Sequence, residues 1–263
     1  MFTQSLAIGT AYHPVRTRCG RVYSKGIRRL SVTEFQIKLT ALYQKLDEQG
    51  RRVLLAALGS VDAFFDMDAA KADLVVEGDI EIDRIDVEIE LESIQLLALS
   101  PTDDYEIRSV LTLVKVNNEL ERIADCAVSI GESVTNSPQN QPIPQTFRVM
   151  ANSVIGMIRD ANRALRDRNP ELARQVLLFD DTVDRFKREI LKSAQTKIVS
   201  GEFDLDFGFG LLAVTKALER IADHSTNICE QVIYLETGRT VRHDPDGWSE
   251  PFEPLSENEE SPT

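Results

Sequence analysis

An all-α fold of two tandem antiparallel three-helix bundles is predicted by three features of this sequence. Leu120-Glu121-Arg122-Ile123-Ala124-Asp125 recurs letter for letter, 98 residues later, as Leu218-Glu219-Arg220-Ile221-Ala222-Asp223, which marks an internal duplication. In both halves apolar residues return by threes and fours, the period of a helix with one buried face. Aromatic residues are only 6% against 42% hydrophobic and 28% charged, a balance that suits helices better than sheets. A chain of 263 residues is long enough to bury an adequate core in each half.

Taken in order, residues 1–30 carry no acid but hold Arg16, Arg18, Arg21, Lys25, Arg28 and Arg29. Without an amphipathic pattern they are expected to form a disordered basic extension outside the fold. The first bundle is assigned to 31–137. Ser31-Val32-Thr33-Glu34 is a capping box that opens a helix. The helix continues through Phe35, Leu39, Leu42, Leu46, Val53, Ala57, Val61 and Phe64, with a gap in the apolar spacing near Gly50. A second helix is expected from about Asp68 to Leu99. Its β-branched stretch notwithstanding, Asp79, Asp83, Asp86 and Glu90 keep helical spacing. Ser100-Pro101-Thr102-Asp103 breaks the chain, and Asp103 caps a third helix whose seam is Val110, Leu113, Leu120, Ala124 and Ala127.

Asn136 to Pro144, with three prolines, is the expected linker. The second bundle is assigned to 144–239. One helix spans about Gln145–Arg168; Asn169-Pro170 pairs an N-cap with proline at the first helical position and opens the next, to about Val199. After a turn at Gly201 the last helix ends on Gly238, a C-cap residue. Residues 240–263, acidic and rich in Pro and Ser, are expected to be a disordered tail.

The net charge of −13 argues against general nucleic-acid binding and favours cations or basic protein surfaces as partners. No apolar run approaches the ~20 residues that cross a bilayer. Cys19, Cys126 and Cys229 lack paired spacing and read as reduced thiols, the latter two packed in the core. There is no P-loop, Gly-x-Gly-x-x-Gly or Gly-x-Ser-x-Gly, and the Glu-x-x-His pairs of ferritin-like di-iron proteins are missing. His13, His224 and His243 form no ligand cluster.

The chemistry lies in the carboxylates. Glu121 and Asp125, like Glu219 and Asp223, are four apart, one turn above each other on one helix face, where like charges repel. Asp79 and Asp83 supply a second pair, repeated as Asp180 and Asp184 at an offset of 101. If the helices pack antiparallel, four carboxylates face one another in each half, and a multivalent cation relieves the repulsion. Oxygen ligands select hard ions such as magnesium, calcium, manganese or iron. Glu132 and Glu230 are candidates to extend the stripes. The alternative is that all these acids are salt-bridged to Arg122, Arg220 and nearby lysines.

Leu218-Glu219-Arg220-Ile221-Ala222-Asp223-His224-Ser225-Thr226-Asn227-Ile228, followed by Tyr234-Leu235-Glu236-Thr237-Gly238-Arg239, resembles the closing helix of the PhoU family, bacterial accessory and regulatory proteins of phosphate transport. Glu106-Ile107-Arg108 stands where that family has Asp-Leu-Arg, and the resemblance covers about 31–240. It implies metal, namely magnesium, manganese or iron, held at Asp79, Asp83, Glu121, Asp125, Asp180, Asp184, Glu219 and Asp223. It further implies a non-enzymatic, cytoplasmic role, peripheral to the membrane through partners. Phosphate uptake and starvation signalling would be restrained by contact with the transporter ATPase and a phosphate-sensing histidine kinase, with homodimer formation left open.

Three departures stand out. Ala124 and Ala222 replace the family's glycine, Asp206 stands where arginine is expected, and Lys187 replaces the acid that Asp86 supplies in the first half. Two other readings use the same residues: a carboxylate-metal hydrolase or oxidase built in a helical bundle, and a helical scaffold without metal.

Overall fold

A computed structural model of the chain describes residues 32–99, 103–134, 141–244 and 247–252. The basic extension, the Ser31 cap, the break at Ser100-Pro101-Thr102, residues 135–140 of the linker region and the tail beyond Phe252 lie outside the described residues. Among the described residues six helices follow in order: α1 (Val32–Asp66), α2 (Ala69–Leu97), α3 (Asp104–Val134), α4 (Gln145–Arg166), α5 (Pro170–Val199) and α6 (Leu205–Thr237). Helices α1–α3 form one bundle and α4–α6 its repeat.

Local chemistry sets the helix ends. Asp68 accepts from the Ala70 and Lys71 amides at 3.0 and 3.2 Å, and Asp103 accepts from Tyr105 and Glu106 at 2.8 and 3.3 Å. Asn169 caps Leu172 at 3.0 Å, with Pro170 at the position where its missing N–H costs nothing. Gly238 closes α6 in the left-handed region, φ 71°, which a side chain would resist.

Every seam residue named for α1, from Phe35 to Phe64, is buried, and so is the α3 seam. The interruption at Gly50 has a specific cause. Asn162 of α4 donates its Nδ2 to the Gly50 carbonyl at 2.8 Å, and a Cβ at Gly50 would lie 2.9 Å from Asn162 Oδ1. Glycine thus lets α4 come close to α1.

The two bundles share one core. Helices α3 and α6 make the most extensive contact in the molecule, and α1 packs on α4 through Phe147, whose ring lies 5.4 Å from Phe64 and 6.0 Å from Phe65. Buried aromatic pairs of this kind add to the area they bury.

The expectation of a disordered tail over 240–263 is corrected in its first half. β1 (Thr240–Asp244) and β2 (Gly247–Phe252) pair antiparallel, with Arg242 opposite Ser249 and Asp244 opposite Gly247. Val241 is buried against the core and Arg242 pairs with Glu230, 8% exposed on α6. Those two anchors offset the low apolar content of the segment. The missed signal is Asp244-Pro245-Asp246-Gly247, a sequence suited to a tight turn.

Candidate functional site

The eight candidate ligands fall into two sets on the adjoining faces of neighbouring helices. In the first half Asp79 and Asp83 of α2 oppose Glu121 and Asp125 of α3, and in the second Asp180 and Asp184 of α5 oppose Glu219 and Asp223 of α6. Asp79 and Glu121 are half-buried, as are Asp180, Asp184 and Glu219; Asp83, Asp125 and Asp223 are more open.

Each set perturbs itself. Partial desolvation, then Asp83 and Asp125, raise the Asp79 pKa to about 6. Glu121 is raised by the same desolvation and by Asp125, partly offset by Arg122, with smaller pushes from Asp86 and Asp83. In the second half Asp223 reaches about 6 through desolvation followed by Glu219 and Asp180. Carboxylates raised by burial and by neighbouring acids are sites where added positive charge is favourable. As placed, no three His, Cys, Asp or Glu side chains among the described residues converge closely enough to cage an ion. The donor chemistry suits a hard cation, then, but closing a cage requires the side chains to turn inward.

The halves differ in their counter-charges. Among the described residues, no Lys or Arg lies within 4.0 Å of Asp79, Asp83 or Asp125, and Arg122 approaches Glu121 only at 3.5 Å. Asp86, next in the α2 row, instead accepts from Asn117 Nδ2 at 2.6 Å. In the second half Lys187 stands at the position equivalent to Asp86. Its Nζ lies 2.7 Å from Glu219 and 4.0 Å from Asp184, and the bond to Glu219 raises the lysine's own pKa. The salt-bridge alternative therefore describes the second stripe in part and the first hardly at all.

Other candidates resolve differently. Glu230 is spent on Arg242, and desolvation raises its pKa; it does not join the Asp223 set. Cys126 and Cys229 are buried free thiols, and burial pushes both pKa values up, as expected of packing residues. His224 tethers the two bundles: its Nδ1 lies 2.8 Å from Glu119 Oε2, the same oxygen to which Asn227 Nδ2 donates at 3.0 Å. Sequence spacing carries no signal for that contact, because Glu119 lies 105 residues away. No helix among the described residues is long and apolar enough to cross a membrane.

Comparison with known proteins agrees with this geometry. The PhoU domain model matches twice, over residues 46–134 and 147–232, one match per bundle. The phosphate-specific transport system accessory protein PhoU homolog of Clostridium acetobutylicum is 31% identical over 210 residues, covering 79% of this chain and 96% of that protein. PhoU homolog 1 of Thermotoga maritima is 26% identical over 211 residues, 79% of this chain and 91% of its own. The crystal structure of the phosphate transport system regulatory protein PhoU from Streptococcus pneumoniae superposes with a TM-score of 0.74 at 27% identity, covering 79% of this chain and 99% of that one. With the duplicated motif, the paired bundles and both domain matches in agreement, this chain belongs to the PhoU family.

Proposed function

We propose that the protein is a metal-binding regulatory adaptor that restrains phosphate uptake and phosphate-starvation signalling by contacting the transporter ATPase and a sensor histidine kinase. The relatives' names support a phosphate-transport accessory role. The observation that carries the metal half of the reading is the facing of two carboxylate rows in each bundle, where burial first and neighbouring acids second raise Asp79, Glu121 and Asp223, a repulsion that a bound cation relieves. Asp79, Asp83, Glu121 and Asp125 would hold magnesium, manganese or iron in the first half, and Asp180, Asp184, Glu219 and Asp223 in the second. The regulatory half draws on chemistry of the other kind: the sequence offers no nucleophile with a base and no cofactor loop, and the chain is strongly acidic, so it acts by binding.

Deleting the gene tests the regulation. Phosphate-starvation genes are expected to stay on in high phosphate, and the tagged protein is expected to co-purify with the ATPase or the kinase. Normal repression in the deletion strain, with neither partner recovered, sinks the regulatory reading.

A further inference from the structure

The outward side of α2 carries an apolar ridge that neither bundle uses. Ile80, Val87, Leu91 and Ile94 are 74, 52, 54 and 58% exposed, and their spacing of seven, four and three residues sets them in one line about 21 Å long. Rows of acid border the ridge. Asp79, Asp83, Asp86 and Glu90 run along one side, and Glu77, Glu81, Glu88 and Glu92 along the other.

The second row is partly neutralised, since Arg84 pairs with Glu81 and Glu88, and Lys45 reaches Glu88 and Glu92 at 2.7 and 2.8 Å. Asp83, Glu77 and Glu90 have no Lys or Arg partner among the described residues. The duplication supplies an internal control. At the offset of 101, the four ridge positions are Asp181, Arg188, Lys192 and Gln195 on α5, all polar. The same fold is therefore stable without an apolar ridge there.

We infer that the outer face of α2 is a docking surface for a basic amphipathic helix of a partner protein, apolar residues on the ridge and lysines or arginines against the acid rows. Charge complementarity selects this occupant. A second copy of the chain would bring acid rows against acid rows in a molecule already at −13. The inference deepens the regulatory reading above and rests on it in one respect, that the protein acts by binding another protein.

The test uses the full chain and a labelled synthetic peptide of about three Leu-Lys-Lys-Leu-Ala-Lys-Lys heptads, with a control peptide carrying Glu for Lys. Fluorescence anisotropy is expected to show saturable binding of the basic peptide only, weakening with salt. Val87→Gln/Leu91→Gln should weaken it about tenfold or more, and Glu77→Gln/Glu90→Gln severalfold. Arg188→Gln/Lys192→Gln on α5 should change nothing. These are exposed positions, so circular dichroism and melting should match the parent.

Equal binding of the two peptides, or an unchanged affinity in the Val87/Leu91 variant, overturns the inference. So does a dimer in sedimentation that the same variant dissociates, because a second copy then owns the face. Peptide binding with normal phosphate repression in the deletion strain would leave the surface standing and remove only the regulatory reading.

Discussion

Asp79 shows how much a single side chain reports about its surroundings. Desolvation first, and then Asp83 and Asp125, push its carboxyl up to about 6. An acid whose folded pKa lies above its unfolded value binds more protons in the native state, so its charge destabilises the fold as pH rises through that interval. In a chelator, where no cation compensates, melting temperature is expected to climb as pH falls from 7 towards 5. Asp79→Asn should melt higher than the parent at pH 7, and the difference should shrink near pH 4; an unchanged difference across that range would mean Asp79 is an ordinary surface acid. Packing makes a separate prediction. Phe147 is buried between Phe64 and Phe65, and Phe147→Ala should cost about 3–5 kcal/mol in denaturant unfolding.

At the level of the helix, the periodicity was enough to place each of α1 to α6, because a single buried stripe on a long helix leaves a repeating mark in the sequence. The caps Asp103 and Asn169 were legible for the same reason: the side chain that satisfies the helix end sits within three residues of it. The hairpin β1–β2 was not legible from composition. It is held by one buried valine and one ion pair to a helix that precedes it, and only its turn sequence announces it. The candidate site was readable as two rows of carboxylates but not as a balance of charges, since Lys187 meets Glu219 from another helix. That balance yields a prediction on paired helices. Adding manganese or magnesium should raise the melting temperature, because a cation that binds only the native rows stabilises by mass action. Glu121→Ala/Asp125→Ala should remove most of the rise, and Lys187→Asp should enlarge it; a double variant that responds like the parent would mean that the α2–α3 row holds no ion.

Across the whole molecule, the bundles are joined too extensively to act as beads on a string. Helices α3 and α6 pack along their lengths, tied by Glu119 to His224 and Asn227 and by Tyr105 to Glu236 at 3.2 Å. Calorimetry should therefore find one transition, with van't Hoff and calorimetric enthalpies equal, and two resolved transitions would show that the halves unfold independently. This joint was hidden in the sequence, because residues about a hundred positions apart meet across it and neither helix marks which of its faces will be shared. The lysine among the second set of acids has a wider consequence. Position 86 of the first copy is Asp and position 187 of the second is Lys, so the duplicated copies have diverged in charge. The second copy carries part of its own counter-ion in the gene, as Lys187 beside Glu219, where the first copy has one more acid.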